Sequence, residues 1–206
     1  METIRIGIEL NGVLRNFNKQ MLKYYTKDIN PYIDLDEINE KCDKEVDDAV
    51  KFDTVKDKNT FIYIDYPFEL FGCAKMMDKN LANTINSWMD KLGEEEGVKY
   101  EFEAFSRNEE ALAMQGSYFF LSKTAFRIRN AFFPERDEEL TGKYDFMFTA
   151  NKETASLAGD GCKVIFITQD NDDKPESVFK QYKTMTDAVE DNNVLKKTED
   201  KDEKEN

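Results

Sequence analysis

The stretch from Ile4 to Asn16 constrains this chain more than any other. Ile4, Ile6, Ile8 and Leu10 form an apolar, mostly β-branched run that stops at Asn11-Gly12. Such a run reads as a buried strand closed by a glycine turn. Asn16 then stands where a helix is N-capped, ahead of apolar positions Phe17, Met21, Leu22 and Tyr25. Strand patterns return at Val98 to Phe105, Phe126 to Phe133, Tyr144 to Thr149 and Lys163 to Thr168, the last read as the final strand. Between them, helices are expected at Phe68 to Met77, Asn80 to Leu92, Asn108 to Met114 and Lys152 to Leu157. Strands alternating with helices predict an α/β fold, a Rossmann-like parallel sheet with helices on its faces.

Histidine is absent from all 206 residues, which removes Ser-His and Cys-His nucleophile pairs and the commonest zinc ligand. Any chemistry must use carboxylates, Lys, Ser/Thr or a bound metal. Cys42, Cys73 and Cys162 are odd in number and widely spaced, so neither a disulfide framework nor a zinc site is expected. The formal net charge of −14 repels phosphate backbones and suits docking against a basic partner surface, so no direct nucleic-acid binding is expected. No apolar run approaches membrane-spanning length, and Met1 to Ile6 lacks the apolar region of a secretory signal.

The opening segment carries a resemblance. Ile4-Arg5-Ile6-Gly7-Ile8-Glu9-Leu10-Asn11-Gly12-Val13-Leu14 is similar to the hhhhDxDGxL strand and turn that open haloacid dehalogenase-like (HAD) phosphatases. Arg15-Asn16-Phe17 extends it toward the small 5′(3′)-deoxyribonucleotidase-like branch common in phage genomes. Phe105-Ser106 resembles the second motif, a strand ending in a phosphate-binding Ser or Thr. Phe119 to Lys123 resembles the third, where a Lys offsets phosphate charge. Asp145 to Asn151 resembles the fourth, which supplies magnesium-binding acids in many relatives. By themselves, Ser106 also reads as a helix cap and Lys123 as a solvated charge.

The resemblance implies a HAD-like core at 1–15 and 98–170, a helical cap-type insertion at 16–97, and a C-terminal helix and charged tail at 171–206. That helix is expected over Pro175 to Val189, and the aromatic-rich insertion from about Asn16 to Gly97, or the C-terminal stretch from Pro175 onward, is the expected contact surface. Glu9 and Asn11 hold the places of the family's nucleophile and general acid. An extra methylene at Glu9 displaces its carboxylate by ~1 Å, and Asn11 has no titratable proton. The fourth motif ends in Thr149-Ala150-Asn151 with no acid at its tip, leaving Glu153 or Asp170 as unusual substitutes. The expectation is therefore a catalytically inactive protein without cofactor. It would have a structural or protein-binding role in a larger assembly, such as a ring or connector of a phage virion, in the host cytoplasm or the assembled particle. The alternative is a magnesium-dependent nucleotide phosphomonoesterase with Glu9 as an atypical nucleophile. A third reading is a phosphate sensor using Ser106 and Lys123.

Overall fold

The computed structural model describes residues 1–41, 43–168, 175 and 177–196. Six strands form one sheet: β1 (Glu2–Glu9), β2 (Val98–Phe105), β3 (Asn130–Phe132), β4 (Phe146–Thr149), β5 (Lys163–Ile167) and β6 (Val178–Tyr182). Their order is β3-β2-β1-β4-β5-β6, and every neighbouring pair runs parallel. This is the doubly wound, Rossmann-like arrangement, in which the chain leaves β1 toward opposite edges of the sheet.

The alternating apolar strands bury both faces, as a parallel sheet requires. Ile6, Ile8, Phe146, Phe148, Ile165 and Ile167 pack on one side with helix α5 (Leu81–Gly93) through Leu81, Ile85, Trp88 and Leu92. Trp88 meets Phe148 edge-on at 5.7 Å. Phe105, Met147, Val164 and Phe166 face the other way, with Leu140, Tyr144 and Ala155.

A smaller helical layer follows β1. It comprises α1 (Phe17–Asp28), α2 (Asp43–Ala49), α3 (Val55–Thr60), a π-helical turn (Phe61–Asp65) and α4 (Pro67–Phe71). Asn16 caps α1, its side chain accepting the Lys19 N–H at 3.0 Å. Met21, Leu22, Tyr25, Val46, Phe61, Ile62 and Leu70 give this layer its own core. The structure ends the layer near Phe71, not at Gly97. The apolar stripe of α5 is buried on the sheet, so that helix belongs to the main core.

Several sequence expectations are corrected. Pro175 to Val189 is not one helix. Val178–Tyr182 adds β6 beyond β5, and a separate short helix (Met185–Glu190) begins at a Thr184–Asp187 capping box. Positions 178, 182, 185 and 189 satisfy a helical stripe equally well, but pairing with β5 satisfies the backbone of the first half. Lys163–Ile167 is thus not the final strand. Met185, Ala188 and Val189 join the main core, so this segment is not a free appendage. Asn108 to Met114 and Ser117 to Lys123 fuse into α6 (Ala111–Lys123). The helix runs through Gly116, where a Cβ would stand 3.0 Å from the Gly72 backbone nitrogen. The helix expected over Phe68 to Met77 stops at Phe71, and the Phe126–Phe133 strand shrinks to β3. Cys42, Asp170 and the charged tail from 197 onward lie outside the described residues. Among the described residues, no helix is long and apolar enough to cross a membrane.

Candidate active site at the carboxyl ends of the strands

Open parallel sheets place their sites outside the strand ends, where the winding reverses. Here that place lies between β1 and β4. Glu9 ends β1, beside Phe105 of β2 in register, and Thr149 ends β4. Glu9, Asn11, Ser106 and Arg107 line a cavity of about 280 Å³, roofed by Phe17, Tyr63 and Phe71 of the helical layer. It adjoins a wider cleft of about 700 Å³, with which it shares Gly12, Phe17, Lys58, Asn151 and Glu153.

Glu9 is buried, with 5% of its surface exposed, and among the described residues no cation lies within ion-pair distance of it. One carboxylate oxygen accepts the Thr149 hydroxyl and, at 3.3 Å, the Ala150 N–H. The other accepts the Thr154 hydroxyl at 3.2 Å. Burial pushes its pKa up to about 7, against the pull of these hydrogen bonds and of Arg107. A carboxyl group with its pKa near neutrality can exist in either protonation state at working pH.

The loop from Leu10 to Arg15 separates this group from a second polar cluster. Gly12 has φ +78°, and a Cβ there would meet the Ala150 side chain at 2.7 Å. Arg15, fully buried, lies beyond the turn. Its guanidinium donates to Asn11 Oδ1 at 2.6 and 2.9 Å, to Glu109 at 2.7 Å, to Ser117 at 2.6 Å and to the Phe71 carbonyl at 2.9 Å. It also sits over the Phe71 and Phe120 rings. Burial lowers its pKa, and Glu109 opposes that shift. Asn11 is therefore committed inward as an acceptor for Arg15, while its amide nitrogen lies 3.4 Å from the Ser106 hydroxyl.

The structure thus brings Glu9, Asn11 and Ser106 together but not Lys123. Lys123 lies in the last turn of α6, exposed, over the Phe119 and Phe120 rings, and lines neither cavity. The fused α6 puts it at the opposite end of the helix from Ala111, the helix residue nearest in sequence to Ser106. Among the described residues the cations lining the Glu9 cavity are Lys58 and Arg107, and Arg107 directly follows Ser106. Its position directly after a strand-end Ser is the sequence signal that marks it. Thr149 and Thr154 were missed as carboxylate partners, because hydroxyls carry no charge pattern.

Magnesium, which the resemblance implies under its alternative, needs an octahedral set of oxygens, usually with one or two carboxylates. Among the described residues, no three His, Cys, Asp or Glu side chains converge. The Glu9 oxygens are engaged by hydroxyls, and Asn11 Oδ1 is taken by Arg15. The described donors do not fit a resident magnesium ion, and no chemical step is derived through one.

No family model matches the chain, and no curated protein does. Solved structures do. One, from Burkholderia xenovorans LB400, is described as a haloacid dehalogenase-like hydrolase. It is 12% identical, with 93% of this chain and 97% of that chain covered and a TM-score of 0.48. A second, from Xanthomonas campestris, is described as a haloacid dehalogenase-like family hydrolase. It is 7% identical, with 92% and 94% covered and a TM-score of 0.47. The expectation that this chain is not an enzyme is corrected by that finding, since both neighbours are described as hydrolases. The substitutions at Glu9 and Asn11 led the sequence reading away from an enzyme, yet a buried carboxyl group still faces the cavity.

Proposed function

We propose that the chain is a HAD-like hydrolase of phosphomonoesters in which Glu9 is the reactive carboxylate. The observation that supports this reading is the Glu9 side chain itself. It is buried at the strand ends against a cavity, its pKa raised to about 7, with hydroxyl partners instead of a neutralising cation. Ionised Glu9 attacks phosphorus, forming an acyl phosphate and releasing the alcohol; water then cleaves the acyl phosphate and regenerates the carboxylate. Because Asn11 carries no transferable proton, the departing oxygen takes its proton from water. Substrates with good leaving groups are favoured for that reason, since general acid catalysis worth ~10²–10⁴-fold is missing. The finer resemblance to nucleotidases makes nucleoside monophosphates the natural second panel.

The test is hydrolysis of an aryl phosphate and of alkyl and nucleoside phosphates, with magnesium supplied. The aryl ester should turn over fastest, at a rate that rises through about pH 7 as Glu9 ionises, and Glu9→Gln should abolish it. Turnover that survives in Glu9→Gln, or its absence across the whole panel, overturns the reading.

A further inference from the structure

We propose that Arg107 is the anion-binding residue of this site, taking the phosphate of a phosphorylated ligand, and that Glu153 is a built-in competitor which the phosphate displaces. The phosphate assignment rests on the phosphomonoester reading above; the anion site itself rests on the geometry of Arg107.

Arg107 follows Ser106 at the end of β2 and lines the same cavity as Glu9. Its side chain is only 10% exposed and is tied to Asp137. Nε and Nη2 donate to the two carboxylate oxygens of Asp137 at 3.0 and 2.9 Å, and Nη1 donates to the Thr154 hydroxyl at 3.3 Å. A guanidinium has five N–H donors, of which these bonds use three. The other two have no hydrogen-bond acceptor among the described residues. Glu153 lies 3.7 Å from Nη1, with its own side chain 82% exposed.

Two donors without an acceptor among the described residues, on a planar cation, match the oxygens of phosphate, which an Arg fork binds with both charge and direction. Displacing Glu153 costs little, because the contact is long and the Glu153 side chain itself lies in solvent. The Thr154 hydroxyl links the two functions, donating to Glu9 while accepting from Arg107. An anion on Arg107 is therefore held beside the carboxylate, one hydroxyl away.

The experiment is calorimetric titration of inorganic phosphate into the full chain and into two variants, with folding checked by circular dichroism. Arg107→Gln should weaken phosphate binding by about tenfold or more, as loss of charge-assisted hydrogen bonds does. Glu153→Gln should tighten it by about two- to threefold, because the competitor has gone. No phosphate binding by the wild-type chain, or affinity unchanged in Arg107→Gln, overturns the inference. If Arg107→Gln does not fold, Glu153→Gln decides: tighter binding supports the inference, and unchanged or weaker binding overturns it. The two readings fail separately. Binding that follows these variants in a protein without turnover removes the reaction and keeps the anion site. Turnover lost in Glu9→Gln, with phosphate binding indifferent to Arg107, does the reverse.

Discussion

Two buried carboxylates flank the Asn11-Gly12 turn, and they have opposite surroundings. Glu109 meets the Arg15 guanidinium at 2.7 Å and the Ser117 hydroxyl at 2.5 Å, inside a cluster closed by two aromatic rings. Among the described residues Glu9 meets hydroxyls and a backbone N–H, and it faces a cavity. A buried charge with a fully bonded partner is a fixed structural element. A buried charge without one is poised to change its protonation or to react, and perturbed carboxylates in clefts are candidate reactive groups for that reason. The turn lets one short segment serve both ends. Arg15 ties the loop to α4 and α6 on one side, and Glu9 is left facing the cavity on the other.

The largest effect is expected on the structural side. Arg15→Ala strands Glu109 without its cation and should cost about 3–5 kcal/mol in urea unfolding. The double variant Arg15→Met, Glu109→Leu should recover much of that loss, because an apolar pair needs no compensation. A double variant as unstable as the single one would mean that the cluster is held by shape and not by charge.

The next effect concerns Glu9 and depends on pH. Its folded pKa of about 7 lies above the ordinary 4.5, so between those values the unfolded chain gives up the proton while the folded chain keeps it. Its contribution to stability is thus full below about pH 4.5, falls as pH rises, and is lost above about pH 7. The loss amounts to about 3 kcal/mol. Glu9→Gln should remove that slope, so the variant should gain on the wild type between pH 5 and pH 8 while losing turnover. Parallel unfolding curves for the two proteins across that range would break the contrast between the carboxylates.

A smaller change tests the turn between them. Gly12→Ala forces a side chain into a left-handed conformation and against Ala150. It should cost about 1–3 kcal/mol in thermal or denaturant unfolding. The smallest change sharpens the comparison from the Glu9 side. Thr149 is the leading hydrogen bond that lowers the Glu9 pKa. Thr149→Val should therefore move the acid limb of the pH–rate profile upward, by less than about one unit. A shift toward lower pH would show that the hydroxyl does not favour the charged form.

Much of this molecule follows from local pattern. Ile4 to Gly12 announces a strand and turn, and the strand at Val98 to Phe105 is legible to its ends, because alternation of apolar residues is a local property. Asn16 was readable as a cap for the same reason, since the bond to Lys19 spans three residues. Glu9 and Asn11 stood out through the resemblance of Ile4 to Leu14 to the opening HAD motif, and Ser106 through its likeness to the second. What sequence could not decide depended on partners far along the chain. Val178 to Tyr182 is a strand only because β5 offers an open edge, as its stripe suits a helix just as well. Lys123 seemed to belong to the site until α6 proved continuous and placed it elsewhere. Arg107 entered the site through Asp137 and Thr154, which lie 30 and 47 residues away. Glu9 acquires its raised pKa from burial against β4, with Thr149 lying 140 residues on. Residue identity and local spacing determine which groups are available and which elements they prefer. Burial, pairing and protonation belong to distant neighbours, and folding alone brings those together.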